Sequence, residues 1–328
     1  MQWPQITIIS LQILQTVDPM ATTSINQVSA TGGYNLIDQS SALILAVTVN
    51  DVTLVKQLLE NGADVNEKNA QGITPLMFAA NSGNTEMVLC LLEHGAYVNM
   101  ADVNGTSAFI IAACVGDVKT IEALVNNGAD VKQKTIQGKN ALIVTSALGH
   151  SEAVKYLLEA KLDVNATDDH GNTALMYAAQ KDNDDLVKLL IEHGADVNKL
   201  GNSYSTALHF AALFGKTDNV GVLIEAGADV NARQGEGVTA ILLAAERNHE
   251  DTVKKLLENN AVLNMEENLS QIVLMHCMKN QYTGVYTLLL QRATPKAVII
   301  HIINVVLYFI CFICASAFRL FMRAISYN

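Results

Sequence analysis

Histidine, cysteine and carboxylate side chains are where chemistry would begin in this chain, and their spacing decides which chemistry is open to it. Asp168, Asp169 and His170 form an acid–imidazole cluster of the kind that binds metal or moves protons. Three consecutive residues cannot approach one ion from several sides, so the cluster reads as a solvated turn. His94 and His193 each precede a glycine at the close of an apolar periodic segment. An imidazole there is favoured by the negative end of a helix dipole, which is how both are read. Five cysteines, Cys90, Cys114, Cys277, Cys311 and Cys314, are scattered and odd in number, which describes a reduced protein rather than a disulfide scaffold. Cys311 and Cys314 have the one CxxC spacing, but inside an apolar run it points only weakly to palmitoylation and hardly to zinc. No Walker loop, HExxH, GxSxG or paired CxxC occurs. The chain is therefore expected to be no enzyme, with no cofactor, no metal site and no small-molecule substrate.

Composition says what must hold these side chains. With 328 residues, 50% hydrophobic and 16% charged, the chain can build extended packed structure and is not a disordered polyelectrolyte. Its net charge of −11 opposes binding nucleic acid through a general basic field. From Gln291 onward come four basic residues, Arg292, Lys296, Arg319 and Arg323, and no acidic one, so an acidic body carries a basic tail. Residues 1–35 hold one charge, Asp18, and are expected to be a poorly ordered lead-in, with Met20 as an alternative start. The first Lys or Arg is Lys56, so no cleaved secretory signal is expected.

The organising feature is a period of 33 residues. Gly62-Ala63-Asp64-Val65-Asn66 returns at Gly95, Gly128, Lys161, Gly194 and Gly227, and in worn form at Asn260. In the same phase Thr74-Pro75-Leu76 returns as Ser107-Ala108-Phe109, Asn140-Ala141-Leu142, Thr173-Ala174-Leu175, Thr206-Ala207-Leu208 and Thr239-Ala240-Ile241, with Ser41-Ala42-Leu43 before it. Ser41, Thr74, Ser107, Asn140, Thr173, Thr206 and Thr239 read as helix N-caps, with Pro75 at the first helical position. Paired alanines such as Ala79-Ala80 and Ala211-Ala212 allow neighbouring helices to approach closely. A second helix follows with an apolar stripe, as in Val88-Leu91-Leu92 and Val187-Leu190-Ile191. It ends on a glycine suited to the left-handed conformation; Lys161 and Asn260 depart from that, and the Lys161 turn should be the more strained.

Helix, turn, helix and a Gly-Ala-Asp loop at this period closely resemble the ankyrin repeat family. The resemblance implies an all-α solenoid of helix-turn-helix units plus β-hairpin loops, about eight repeats at 36–68, 69–101, 102–134, 135–167, 168–200, 201–233, 234–266 and 267–293. In the last repeat Ile272 takes the place of the N-cap, and Cys277-Met278 that of the alanine pair. It also implies a concave groove, formed by hairpin tips and first helices, that binds a protein partner. His209 falls in the family's Thr-Pro-Leu-His slot, where histidine bonds backbone and holds the hairpin. Carried over by position, the contact residues are Ile73, Val103 and Ile136 in the hairpins and Val115, Leu148, Leu213 and Phe214 at the ends of first helices. Tyr204 stands where a turn glycine is expected. Apolar residues at positions usually left wet mark an interface, so one continuous patch is expected, anchored by Phe214 and Tyr204.

From Ala297 to Phe318 the chain runs 22 residues without a charge. As a helix that run would measure about 33 Å against roughly 30 Å of bilayer hydrocarbon. A transmembrane helix over 297–318 is expected, followed by a short basic tail at 319–328. A buried cap is the competing reading, since Leu307 falls one period after Leu274. The expectation is a single-pass C-terminal anchor in the lipid bilayer, with the repeats on the cytoplasmic side recruiting a protein partner. A soluble adaptor or inhibitor, and an ankyrin-type effector of an intracellular bacterium, are the alternatives.

Overall fold

The computed structural model describes residues 42–263 except Glu236, 268–292, and 298–299, 301–303 and 305–306. The lead-in expected over 1–35, Ser41, Cys311, Cys314, most of the run at 297–318 and the tail at 319–328 lie outside the described residues.

Sixteen helices with defined ends occur among the described residues. They form pairs: α1 (Ala42–Thr48) with α2 (Val52–Glu60), α3 (Pro75–Asn81) with α4 (Thr85–Glu93), α5 (Ala108–Val115) with α6 (Val118–Asn126), and α7 (Ala141–Leu148) with α8 (Ser151–Glu159). The series continues with α9 (Ala174–Ala178) and α10 (Asp184–Glu192), α11 (Ala207–Leu213) and α12 (Thr217–Glu225), α13 (Ala240–Glu246) and α14 (Glu250–Glu258), and α15 (Asn268–Lys279) and α16 (Thr283–Gln291). Each first helix packs on the next first helix, and second helices pack on second helices. The result is an all-helical solenoid. The expected β-hairpins are reduced to hairpin turns: among the described residues no strand forms, and these loops carry only isolated antiparallel bridges at Ala101–Ser107, Thr167–Thr173 and Gln234–Val238.

Local chemistry explains where the helices start. The Thr74 side chain accepts from Met77 N, Ser107 from Ile110 N, Asn140 from Ile143 N and Thr173 from Met176 N, while Pro75 opens α3. The last pair differs from expectation, because α15 begins at Asn268, one turn before Ile272. Buried Cys277 sits against the preceding pair, with Sγ 3.5 Å from Ala245 O. Ala79, Ala80, Ala112, Ala113, Ala178, Ala179, Ala211, Ala212, Ala244 and Ala245 are fully enclosed, which lets first helices approach at backbone distance.

Successive loops are tied by asparagine. Asn66 Nδ2 donates to Gly95 O at 3.1 Å while its Oδ1 accepts from Tyr97 N at 2.7 Å. Asn99, Asn165, Asn198 and Asn231 make the same two-sided bridge to the loop 29 and 31 residues ahead. Lys132 occupies the equivalent place between the third and fourth pairs, and an ammonium has no acceptor for the Asp163 N–H. The residue it would reach is Lys161, which takes φ +61° where Gly62, Gly95, Gly128, Gly194 and Gly227 stand in other loops. Second helices also pack most sparsely between α8 and α10. The fourth pair thus concentrates the irregularities of the array.

Candidate binding surface

The hairpin tips are laced together at constant register. Val103 N donates to Gln71 O at 3.1 Å, Ile136 N to Asn104 O at 2.9 Å, Asp169 N to Gln137 O at 3.1 Å and Asn202 N to His170 O at 2.9 Å. Val103 and Ile136 are therefore neighbours in one row, and each is 66% exposed. The row turns polar at Asp169 and Asn202. Ile73, at the base of its hairpin, is half-buried and donates its N–H to Asn69 Oδ1 at 2.9 Å.

A second row lies at the ends of first helices: Val49, Ser82, Val115, Leu148, Lys181, Phe214 and Arg247, one per 33-residue step. Val115 is exposed, and Leu148 and Phe214 are half-buried. Leu213 departs from expectation. It is 4% exposed, being turned into the core one position before the row. The continuous patch is likewise corrected, because Lys181 stands between Leu148 and Phe214 in the row. The apolar stretch ends at the fourth pair, and Phe214 packs apart from it, partly against the core. Tyr204 is 60% exposed at φ +60°, a left-handed turn held by its N–H donating to Gly201 O at 2.8 Å.

The position one helical turn earlier, Leu45, Phe78, Ile111, Val144 and Tyr177, was not legible from sequence. It shares a helix face with the second row, since i and i+4 are neighbours. Tyr177 shows where this position looks. Its hydroxyl donates to Asp168 Oδ2 at 2.7 Å, and Lys139 Nζ lies 5.5 Å from the centre of its ring, so the position faces the hairpins. Leu45 is exposed and Phe78 and Ile111 are half-buried, whereas Val144, Tyr177, Phe210 and Leu243 are buried. The apolar side chains left exposed or half-exposed here thus include Phe78, Ile111, Val115 and Leu148 on the first helices and Val103 and Ile136 at the tips. Helix α5, AFIIAACV, is apolar on every side, so only its packing shows which residues remain open.

The residues with chemical potential are accounted for as structure. His209 is buried in a capping box, Nδ1 accepting from Thr206 N at 3.2 Å and Nε2–H directed to Val238 O at 3.3 Å. Burial lowers its pKa to about 4, and the bonds to backbone carbonyls only partly offset that, so the ring is neutral. His94 and His193 bond through Nδ1 to the carbonyls of Cys90 and Leu189, both at 2.8 Å, one turn back in their own helices. The Asp168 carboxylate is occupied by the N–H groups of His170 and Asn172 and by the Tyr177 hydroxyl. Burial pushes the thiols of Cys114 and Cys277 up to about 12, which removes their nucleophilicity at neutral pH. Among the described residues no cluster of three metal-ligating side chains occurs.

A family model described as ankyrin repeats, in three copies, matches residues 43–135, 131–201 and 208–298. Among solved structures the human ASB11 ankyrin repeat domain is similar, with a TM-score of 0.63 at 26% identity over 68% of this chain and 99% of that one. The ankyrin repeat domain of Bcl-3, a unique member of the IkappaB protein family, aligns with a TM-score of 0.57 at 28% identity over 67% of this chain and 99% of that one. No curated protein matches the chain.

Proposed function

The chain belongs to the ankyrin repeat family, and from that premise we propose that it is a non-catalytic scaffold whose array recruits a protein partner at a membrane surface. The array comprises eight repeats over 36–293. The observation that carries the reading is the exposure of the apolar tips Val103 and Ile136 and of Val115, together with half-exposed Phe78, Ile111 and Leu148 on the first helices. Adjacent apolar side chains on a rigid frame form a desolvated centre of the kind that dominates protein–protein binding. The solved relatives show that such an array stands as a domain.

The membrane part of the reading rests on the uncharged run at 297–318, with basic residues on both sides and the repeats on the cytoplasmic side. Among the described residues no helix is long and apolar enough to cross a membrane. One observation favours the alternative of a soluble adaptor with a buried cap: His301, inside the run, is buried against Tyr286 and Gln271.

Two measurements test the reading. Full-length protein isolated from native membranes should co-purify a partner that is lost on Val103→Asp with Ile136→Asp; an unchanged set of co-purifying proteins overturns the binding face. Recovery of the full-length chain without detergent, or its extraction by carbonate, overturns the membrane placement.

A further inference from the structure

The beginning of the apolar run is helical at 298–299, 301–303 and 305–306, and it is not a free linker. His301 is 1% exposed and lies between two side chains of the last helix pair. Its Nδ1 is 3.2 Å from Gln271 Oε1, a pure acceptor, so Nδ1 carries the proton; Nε2, at 3.0 Å, then accepts from the Tyr286 hydroxyl. The Tyr286 and His301 rings also touch, with centroids 5.6 Å apart. His301, the polar residue described in this segment, thus faces the protein.

The opposite face is apolar and open. Ile299, Ile302, Ile303 and Val306 follow i, i+3, i+4 and i+7 spacing and form one stripe, each between 50% and 58% exposed. A terminal cap of a soluble solenoid turns a polar face outward, and this segment does the reverse. Charge selects what covers the stripe. From Asn268 to the end there is no Asp or Glu, while Lys279, Arg292, Lys296, Arg319 and Arg323 are basic; all 32 acidic residues precede Asn268. An anionic membrane surface attracts this end and repels the rest of the array. The sequence beyond Val306 continues without a charge to Phe318.

We propose that the first turns of the run are clamped to the last helix pair by the His301–Tyr286–Gln271 contact, and that the Ile299–Ile302–Ile303–Val306 stripe lies against the bilayer. The array then stands on the membrane by its C-terminal end in a fixed attitude rather than swinging on a tether. This rests on the membrane association proposed above, and it places residues 298–306 at the membrane surface rather than across it.

The test uses full-length protein in vesicles of phosphatidylcholine and phosphatidylserine. The chain has one tryptophan, Trp3, so a Trp3→Phe background accepts a single reporter. Ile302→Trp should lose about half of its fluorescence or more when the lipids carry brominated chains, because a face in the headgroup–acyl boundary meets the quencher. Leu200→Trp, far along the array, should not be quenched. Energy transfer from Leu200→Trp to a dansyl lipid should report one narrow distance in the otherwise native chain and a broad one in His301→Ala and in Tyr286→Phe, with all variants still bound to vesicles. Vesicle-bound protein with Ile302→Trp unquenched overturns the proposal while leaving the membrane anchor intact. Cross-linking to a dimer would then name a second copy as the cover. A narrow distance in both clamp variants overturns the clamp. Failure to bind vesicles at all overturns the anchor and this inference together, and that outcome is read by sedimentation alone.

Discussion

Replacing Lys132 with Asn should close the one unbridged junction among those between loops at 66, 99, 132, 165, 198 and 231. At the other five, the asparagine Nδ2 donates to a loop carbonyl at 3.0–3.3 Å and Oδ1 accepts the N–H two residues on at 2.7–2.8 Å. For Asn at 132 these partners are Lys161 O and Asp163 N. Solvent-exposed hydrogen bonds lie at the low end of the net range of about 0.5–1.5 kcal/mol each, so the pair should contribute about 1 kcal/mol. Lys161 sits at φ +61°, where a side chain costs roughly 1–2 kcal/mol. Glycine there removes that cost and gives back about 0.5–1 kcal/mol in chain entropy, so Lys161→Gly should add a further ~0.5–1 kcal/mol. Because each pair contacts only its neighbours, the gain should appear locally first. Hydrogen exchange of the Asp163 amide should slow about fivefold in Lys132→Asn, the factor equivalent to about 1 kcal/mol. Urea unfolding should give the summed change in the double variant. Lys132→Ala is the control, since it removes the lysine without supplying a bridge. If Lys132→Asn protects Asp163 no better than Lys132→Ala does, the asparagine bridges do not hold the loops together and the reasoning fails.

Three further outcomes are expected. Leu208→Ala, at a fully enclosed site, should destabilise the array by about 2–5 kcal/mol, while Phe214→Ala, half-buried, should cost clearly less; thermal unfolding of both at the same midpoint would show Phe214 to be core. His209 has its pKa lowered to about 4, below the ordinary value of 6.5, so between those values the unfolded chain binds the proton and stability falls as pH drops. That loss, on the order of 3 kcal/mol, should be complete below pH 4 and absent above 6.5, and a urea series across this window should flatten in His209→Gln. Tyr204→Gly should raise stability by up to ~1 kcal/mol by relieving a left-handed side chain, and should weaken partner binding if the exposed ring is an anchor; unchanged affinity in titration calorimetry would remove Tyr204 from the interface.

Most of the array was legible in the chain because its determinants are local. A hydroxyl or amide at an N-cap needs only the N–H groups three residues on, and the Thr74, Ser107, Asn140 and Thr173 caps form as their spacing implies. A left-handed residue after each second helix depends on one φ angle, so even Lys161 and Asn260 adopt it where glycine is missing. The exposed tips Val103 and Ile136 were found for the same reason, since a hairpin tip is open whatever surrounds it.

Other features depend on packing between repeats. Leu213 and Phe214 are adjacent and both apolar, yet the helix ends so that Leu213 enters the core and Phe214 caps it. Helix α5 is apolar all round, and only its neighbours decide that Ile111 and Val115 stay open while Phe109 and Ile110 do not. His301 stands in an uncharged run in the sequence, and its partners lie 15 and 30 residues away at Tyr286 and Gln271. The 33-residue phase by itself determined where the helices and turns fall and most of the first-helix caps, because each rests on contacts within one repeat; Thr239 is an exception, its side chain accepting no cap hydrogen bond. Which helix faces remained open was decided only by tertiary structure, because on a packed helix exposure belongs to the neighbour that packs against a residue and not to the residue itself.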